Sequence, residues 1–150
     1  MSDNPIKFRI SIPPVMGAEC VPIAAVEVLA RRMGFKPDRV QDIVQALTEA
    51  SVNAIMYSTS EMDVDIVIIA VHNSLILEVR DRGPGFNPDS VPPPDFDLIS
   101  EIGVESGGFG IHMIKSLVDK VEIESSDQGT LIRMSTFLSS PDSSSLTPQT

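Results

Sequence analysis

Apolar and polar positions alternate strictly over residues 6–12: Ile6, Phe8, Ile10 and Ile12 fall on one side, Lys7, Arg9 and Ser11 on the other. A period of two predicts a half-buried strand, ended by Pro13-Pro14, which cannot donate to a ladder. The period then lengthens. Val21, Ala25, Val28, Leu29 and Met33 recur at helical spacing between Glu19 and Met33, with Pro22 suited to the first turn and Gly34 to the end. Arg31 and Arg32 fall on that helix's flank, where a charge pair is either simply solvated or met by a partner. A second helix is predicted from Pro37 or Asp38 to Tyr57, with Val40, Ile43, Val44, Leu47, Ser51 and Ala54 as its apolar stripe. At ~100° per residue, Glu49 and Asn53 are i, i+4 neighbours on nearly the opposite side. Gln45, Val52 and Met56 share that side. It is either an ordinary polar surface or a covered face on which a carboxylate and an amide sit together.

Asp63 to Val71 is a β-branched run, apolar on both parities in its middle, which suits an internal strand with both faces partly covered. His72-Asn73-Ser74 makes a turn, and Leu75, Leu77 and Val79 give the next strand its inner face. Asp81-Arg82-Gly83-Pro84-Gly85-Phe86 then places a carboxylate at a strand end, followed by two residues without Cβ atoms. Taken alone, that stretch is also an ordinary surface turn. Pro88, Pro92, Pro93 and Pro94 exclude a regular element over the first half of residues 87–106. A connection of that length is either a lid or a simple insertion. Gly107-Gly108-Phe109-Gly110 reads as a glycine-rich turn leading into a short helix built on Ile111, Ile114, Leu117 and Val118. Unpaired N–H groups at such a helix start fit a phosphate. Val121–Ser125 and Thr130–Leu138 form a hairpin around Asp127-Gln128-Gly129, and residues 139–150, rich in Ser, Pro and Thr, read as a disordered tail.

Charge narrows the function. The formal net charge of −10 argues against a broad nucleic-acid surface or adhesion to anionic lipid, so neither nucleic acid nor membrane is expected as a partner. No apolar run approaches membrane-spanning length and no secretory h-region opens the chain, which leads us to expect a soluble, cytoplasmic protein. The single cysteine, Cys20, rules out an internal disulfide and reads as a small hydrophobe. His72 lacks companions at metal-ligand spacing, and His112, in the first turn of the short helix after the glycines, reads as structural rather than catalytic.

In order and spacing, Glu49-x-x-x-Asn53, Asp81-x-Gly83-x-Gly85 and Gly108-x-Gly110 resemble the three boxes of the GHKL ATP-binding superfamily. Glu49-Ala50-x-x-Asn53-Ala54 and Gly107-Gly108-Phe109-Gly110-Ile111, followed by Leu117-Val118-Asp119-Lys120-Val121, look much like its small anti-sigma factor serine/threonine kinases. The resemblance spans roughly Ile6 to Leu138. It implies an α/β (α+β) two-layer sandwich, a mixed, mostly antiparallel sheet with helices on one face. Residues 1–138 would form the ATP-binding kinase domain, with its lid at about 87–106.

The roles implied are equally specific. Asn53 would ligate Mg²⁺ on the phosphates, and Asp81 would accept a hydrogen bond from the adenine amino group. Gly83 and Gly85 would let the backbone and lid pack against ATP. Gly107, Gly108, Phe109, Gly110 and Ile111 would meet the phosphates, and Thr130 would lie near the adenine. Glu49 would be the general base, taking the proton of a serine or threonine hydroxyl. In that subgroup the hydroxyl belongs to a STAS-type anti-anti-sigma factor, and the kinase, a homodimer, sequesters a sigma factor or other regulator. The alternative is a non-catalytic ATP-binding module that acts by sequestration alone. Tyr57 departs from the subgroup, which often has a histidine there, and so does the four-proline lid.

Overall fold

The computed structural model describes residues 4–58, 61–85 and 107–138, so Phe86, the expected lid at 87–106 and the expected tail at 139–150 lie outside the described residues. The chain runs β1 (Ile6–Ile12), α1 (Cys20–Met33), α2 (Pro37–Tyr57), β2 (Val64–Val71), β3 (Ser74–Asp81), α3 (Gly107–Leu117), β4 (Lys120–Ser126) and β5 (Gly129–Phe137). The strands form one sheet in the order β1-β2-β3-β5-β4.

Helices α1 and α2 run out and back, so the chain re-enters the sheet beside the point it left, with Ile12 opposite Val64. That makes β1 and β2 antiparallel. Two tight turns, at His72-Asn73 and Asp127-Gln128, do the same for β2–β3 and β4–β5. The β3–β5 pairing is antiparallel too. The α/β class is as expected, with a sheet antiparallel at every described pairing rather than mixed.

Alternation along β2 sorts the two faces. Val64, Ile66, Ile68 and Ala70 are buried, as are Leu75, Leu77 and Val79 of β3, and Ile43, Leu47 and Ile114 cover them from α2 and α3. The opposite parity of β2 (Asp65, Val67, Ile69, Val71) is half-buried, which puts the described helices on one face. On the other face Arg133 bridges β5 to β3 through Glu78 at 2.7 Å and reaches Glu122 of β4 at 3.6 Å. The helix layer stops short of the start of edge strand β1. Ile12, at the strand's end, is buried, while Phe8 remains 48% exposed.

Helix α1 corrects one expectation. Its buried face is Pro22, Val26 and Ala30, with Ile23, Leu29 and Met33 packed beside it. Val21 and Val28, expected in the stripe, are each 59% exposed. They lie roughly 140–160° around the helix from the middle of the buried row. Arg31 pairs along the helix with Glu27 at 3.0 Å in solvent, and Cys20 is exposed.

Helix α2 is buried more widely than its expected stripe, because Ala46, Ala50 and Ile55 join Val40, Ile43, Leu47 and Ala54 inside. It lies between α1 and α3 and above β3. Pro37 at its first turn needs no N–H partner there. Near that end Arg39 donates to the Leu117 carbonyl at 2.7 Å and to Asp119 at 2.8 Å, fastening the end of α3 to α2. Ser51 is fully buried, and its hydroxyl has no hydrogen-bond partner among the described residues.

Candidate functional site

Strand β3 ends on Asp81, which pairs with Thr130 of β5, which in turn pairs with Ser125 of β4. The three side chains form one row across three strands, on the helix-covered parity shared with Val79 and Ile132. Thr130 is only 5% exposed. The Asp81 carboxylate accepts the Gly83 N–H at 2.9 Å and a backbone hydrogen bond from Thr130. Burial pushes its pKa up from the ordinary 3.8, and the two backbone bonds only partly oppose that. Between Ser125 and Thr130 the hydroxyls hydrogen-bond at 2.8 Å. An open cavity of about 530 Å³ lies at this end of the sheet, lined from both parities, by Arg80, Glu124 and Leu131 as well as Asp81, Ser125 and Thr130. A carboxylate beside a hydroxyl suits a ring that offers an amino donor next to a ring acceptor.

The glycines of the second and third boxes meet the protein itself. A Cβ on Gly83 would lie 3.0 Å from the Tyr57 carbonyl oxygen, so the loop after β3 is seated against the end of α2. Gly85, at φ +75°, would drive a Cβ into the Ser126 carbonyl, and Gly129, at φ +141°, into that of Asp81. On Gly110 a Cβ would come within 2.6 Å of Asn53 Nδ2. Helix α2 therefore touches both other boxes, Asn53 meeting α3 and Tyr57 meeting the loop after Asp81.

Glu49 and Asn53 are half-buried and one helical turn apart. Among the described residues neither side chain is tied into a hydrogen bond or ion pair. The expected glycine-rich turn is instead the start of α3, since Gly107–Gly110 are already helical. The correction strengthens the anion-binding case, because a helix's first four N–H groups have no partner within it. Ile111 is 4% exposed and turns its side chain into the core.

As for Mg²⁺, no cluster of three or more His, Cys, Asp or Glu side chains able to hold a metal exists among the described residues. A lone amide oxygen at Asn53 fits an ion brought on phosphates, which takes few protein ligands and keeps its waters. It does not fit a resident metal.

Sequence reasoning missed Ser125, the Tyr57 carbonyl and Gly129. Strand parity could have found Ser125, which stands opposite Thr130 across a two-residue turn. The other two depend on contacts between segments distant in sequence.

Three comparisons bear on this arrangement. The sequence model of the histidine kinase-like ATPase domain family matches residues 22–136. The serine-protein kinase RsbW of Oceanobacillus iheyensis is 29% identical over 118 residues, covering 73% of each chain. That of Bacillus mycoides is 29% identical over 140 residues, covering 88% of this chain and 85% of the relative. Among solved structures, the RsbU and RsbW domains of a Mycobacterium tuberculosis protein superpose with a TM-score of 0.66 at 18% identity. The match covers 91% of this chain and 33% of that longer one. The SiaB-SiaC complex of Pseudomonas aeruginosa gives a TM-score of 0.51 at 11% identity, covering 86% of this chain and 88% of the other. At such identities the two structures speak to the fold alone.

Proposed function

The chain belongs to the family of histidine kinase-like ATPase domains, and from that premise we propose that it is an ATP-dependent protein serine/threonine kinase of the anti-sigma factor type. It binds ATP with Mg²⁺, phosphorylates a serine or threonine of a STAS-type antagonist, and sequesters a sigma factor or other regulator in the cytoplasm, as a homodimer. The observation that carries the reading is the convergence on α2: one helix holds Glu49 and Asn53 and packs directly on Gly83 and Gly110. The RsbW relatives, named serine-protein kinases, support the same reaction class.

In this reading Asp81 accepts from the adenine amino group, with Thr130 beside it. The first-turn N–H groups of α3 receive the phosphates, and Asn53 holds Mg²⁺ on them. The ion's part is to neutralise phosphate charge. Glu49 takes the proton of the acceptor hydroxyl as its oxygen bonds to the γ-phosphorus and ADP leaves. A half-buried carboxylate without an ion-pair partner, one turn from the metal-holding amide, suits that base. For protein partners, Val15, Met16, Val21 and Val28 offer an apolar surface, each more than half exposed.

The test begins with calorimetric titration of ATP, with and without Mg²⁺, into the wild type, Asp81→Asn, Asn53→Ala and Glu49→Gln. Radiolabelled transfer to candidate STAS proteins follows. Mg²⁺-dependent binding weakened by the first two changes, with transfer abolished but binding kept in Glu49→Gln, is the expected pattern. Absence of ATP binding refutes the reading. Binding without transfer to any such protein leaves the non-catalytic module.

A further inference from the structure

Helix α2 meets α3 along one side, and three of its side chains reach α3 in reverse order. Arg39 donates to the Leu117 carbonyl at 2.7 Å, Gln45 to the Met113 sulfur at 3.6 Å, and Asn53 stands against Gly110. The two helices are therefore antiparallel, with the Arg39 contact at the end of α3 opposite its glycines. With the start of α3 read as the phosphate site, we propose that Arg39 is a positioning residue for it. It sets where α3 sits along α2, and so where the first-turn N–H groups stand relative to Asn53.

Little within α3 fixes that setting. Three of its first four residues are glycine, a weak helix former, so its place is imposed by packing. Its buried side chains Ile111 and Ile114 are apolar, and apolar contact has no preferred direction. A thioether such as that of Met113 is a weak acceptor. Arg39 brings direction. One guanidinium nitrogen donates to the Leu117 carbonyl and the other to Asp119 Oδ1 at 2.8 Å, and the planar group fixes both bonds at once. The first nitrogen also lies 3.4 Å from Asp42, which steadies the head on its own helix. Asp119 is fixed in turn. Its other oxygen accepts the Phe137 N–H at 2.7 Å, and its own N–H donates to the Ser135 carbonyl at 3.1 Å. Arg39 thus keys α2 to the end of α3 and, through Asp119, to β5.

The glycine end has no slack to absorb a slip. Gly110 and Leu117 are separated by about 10 Å of helix, a stiff length, so a slide at one end is repeated at the other. A Cβ on Gly110 would already come within 2.6 Å of Asn53 Nδ2. A slide of about 1 Å carries an N–H out of hydrogen-bond range of a phosphate oxygen. Asp81 and Thr130 belong to β3 and β5 and do not travel with α3.

ATP and adenosine share a base and differ in phosphates, so their affinities read the two ends of the site separately. Wild type, Arg39→Met and Arg39→Lys are compared with Mg-ATP and with adenosine by displacement of a fluorescent ATP analogue. Thermal melting first shows that each is folded at the assay temperature. Arg39→Met is expected to lower Mg-ATP affinity by roughly tenfold, the factor that about one hydrogen bond carries, and adenosine affinity by less than about twofold. Arg39→Lys keeps the charge but lacks the fork, and should fall between wild type and Arg39→Met. In the ligand-free proteins the amide resonances of Gly108 and Gly110 should move with both substitutions, while those of Val79 and Thr130 stay. Equal losses for the two ligands, or glycine amides that stay in place in both variants, overturn the proposal; a clamp that only adds stability lowers the melting temperature without moving the ratio. Wild type that displaces nothing with either ligand refutes the phosphate reading itself, and the amide resonances still decide whether Arg39 places α3.

Discussion

Replacing Gly110 by alanine separates the stability of α3 from the competence of the site beside it. In a helix interior alanine is better than glycine by up to ~1 kcal/mol. Against this gain stands the new methyl group, 2.6 Å from Asn53 Nδ2, where ordinary contact begins at 3.4 Å. The amide has to retreat by about 0.8 Å, the difference between those two distances. It is the tip of a side chain, so it can do so at a rotamer cost of about 0.5–1.5 kcal/mol. The terms nearly cancel, and the melting temperature of ligand-free Gly110→Ala should stay within about 4 °C of wild type. The site has no such compensation. A misplacement near 1 Å can cost on the order of a hundredfold in a positioned reaction, so transfer should drop by about that factor. Mg-ATP affinity should fall at least roughly tenfold, with the largest loss when Mg²⁺ is present. Calorimetry on Gly110→Ala, Asn53→Ala and the pair closes the cycle, because the glycine change should add little once the amide is gone. A full Gly110→Ala effect persisting in the Asn53→Ala background would falsify the reasoning, as would a variant that binds Mg-ATP like wild type.

Two further predictions concern residues whose present state is costly. Asp81 holds its proton to higher pH in the folded chain than in the unfolded one, so its contribution to stability is present below about pH 4 and is lost as pH rises through the folded value. Ligand-free Asp81→Asn lacks that loss, so denaturant titrations should show it gaining on wild type as the pH rises above about 4; a variant that falls behind as the pH rises contradicts the assignment. Ser51→Ala removes a buried hydroxyl without a hydrogen-bond partner and should stabilise by about 1 kcal/mol, or roughly 2–4 °C in a melt; a lower melting temperature would mean the hydroxyl has a role the structure does not reveal.

Periodicity exposed the elements better than their faces. The strands, both long helices and the two hairpins lie close to where alternation and turn residues put them, because those signals are local. The buried face of α1 is not local. Val21, Ala25 and Val28 and the true row Pro22, Val26 and Ala30 both repeat at helical spacing, and only packing against α2 and the sheet decides between them. The start of α3 misled for a related reason. Glycines weigh against helix on propensity alone, and packing against Asn53 overrides that preference at Gly110. Asp81, Asn53 and Glu49 could be singled out because their short motifs, each ordinary alone, occur together in the order and spacing of an ATP-binding superfamily. Ser125 looks like any hairpin residue until its partner across β5 is known.

The glycines also change what the boxes mean physically. Read along the chain, Gly83, Gly85 and Gly110 suggest a backbone bared for a ligand. In the fold, the space where each Cβ would go already belongs to the protein: the Tyr57 carbonyl, the Ser126 carbonyl and the Asn53 amide. These are contacts among α2, the loop after β3, the β4–β5 hairpin and α3, the four segments that bear the site residues. A side chain at 83 or 85 acts first on how these segments dock, and only through that on a nucleotide, whereas one at 110 acts on the Asn53 amide. Two of the obstacles are backbone, which cannot give way, and one is a side-chain tip, which can. Substitution at 83 or 85 should therefore damage fold and binding together, whereas substitution at 110 should reach binding alone.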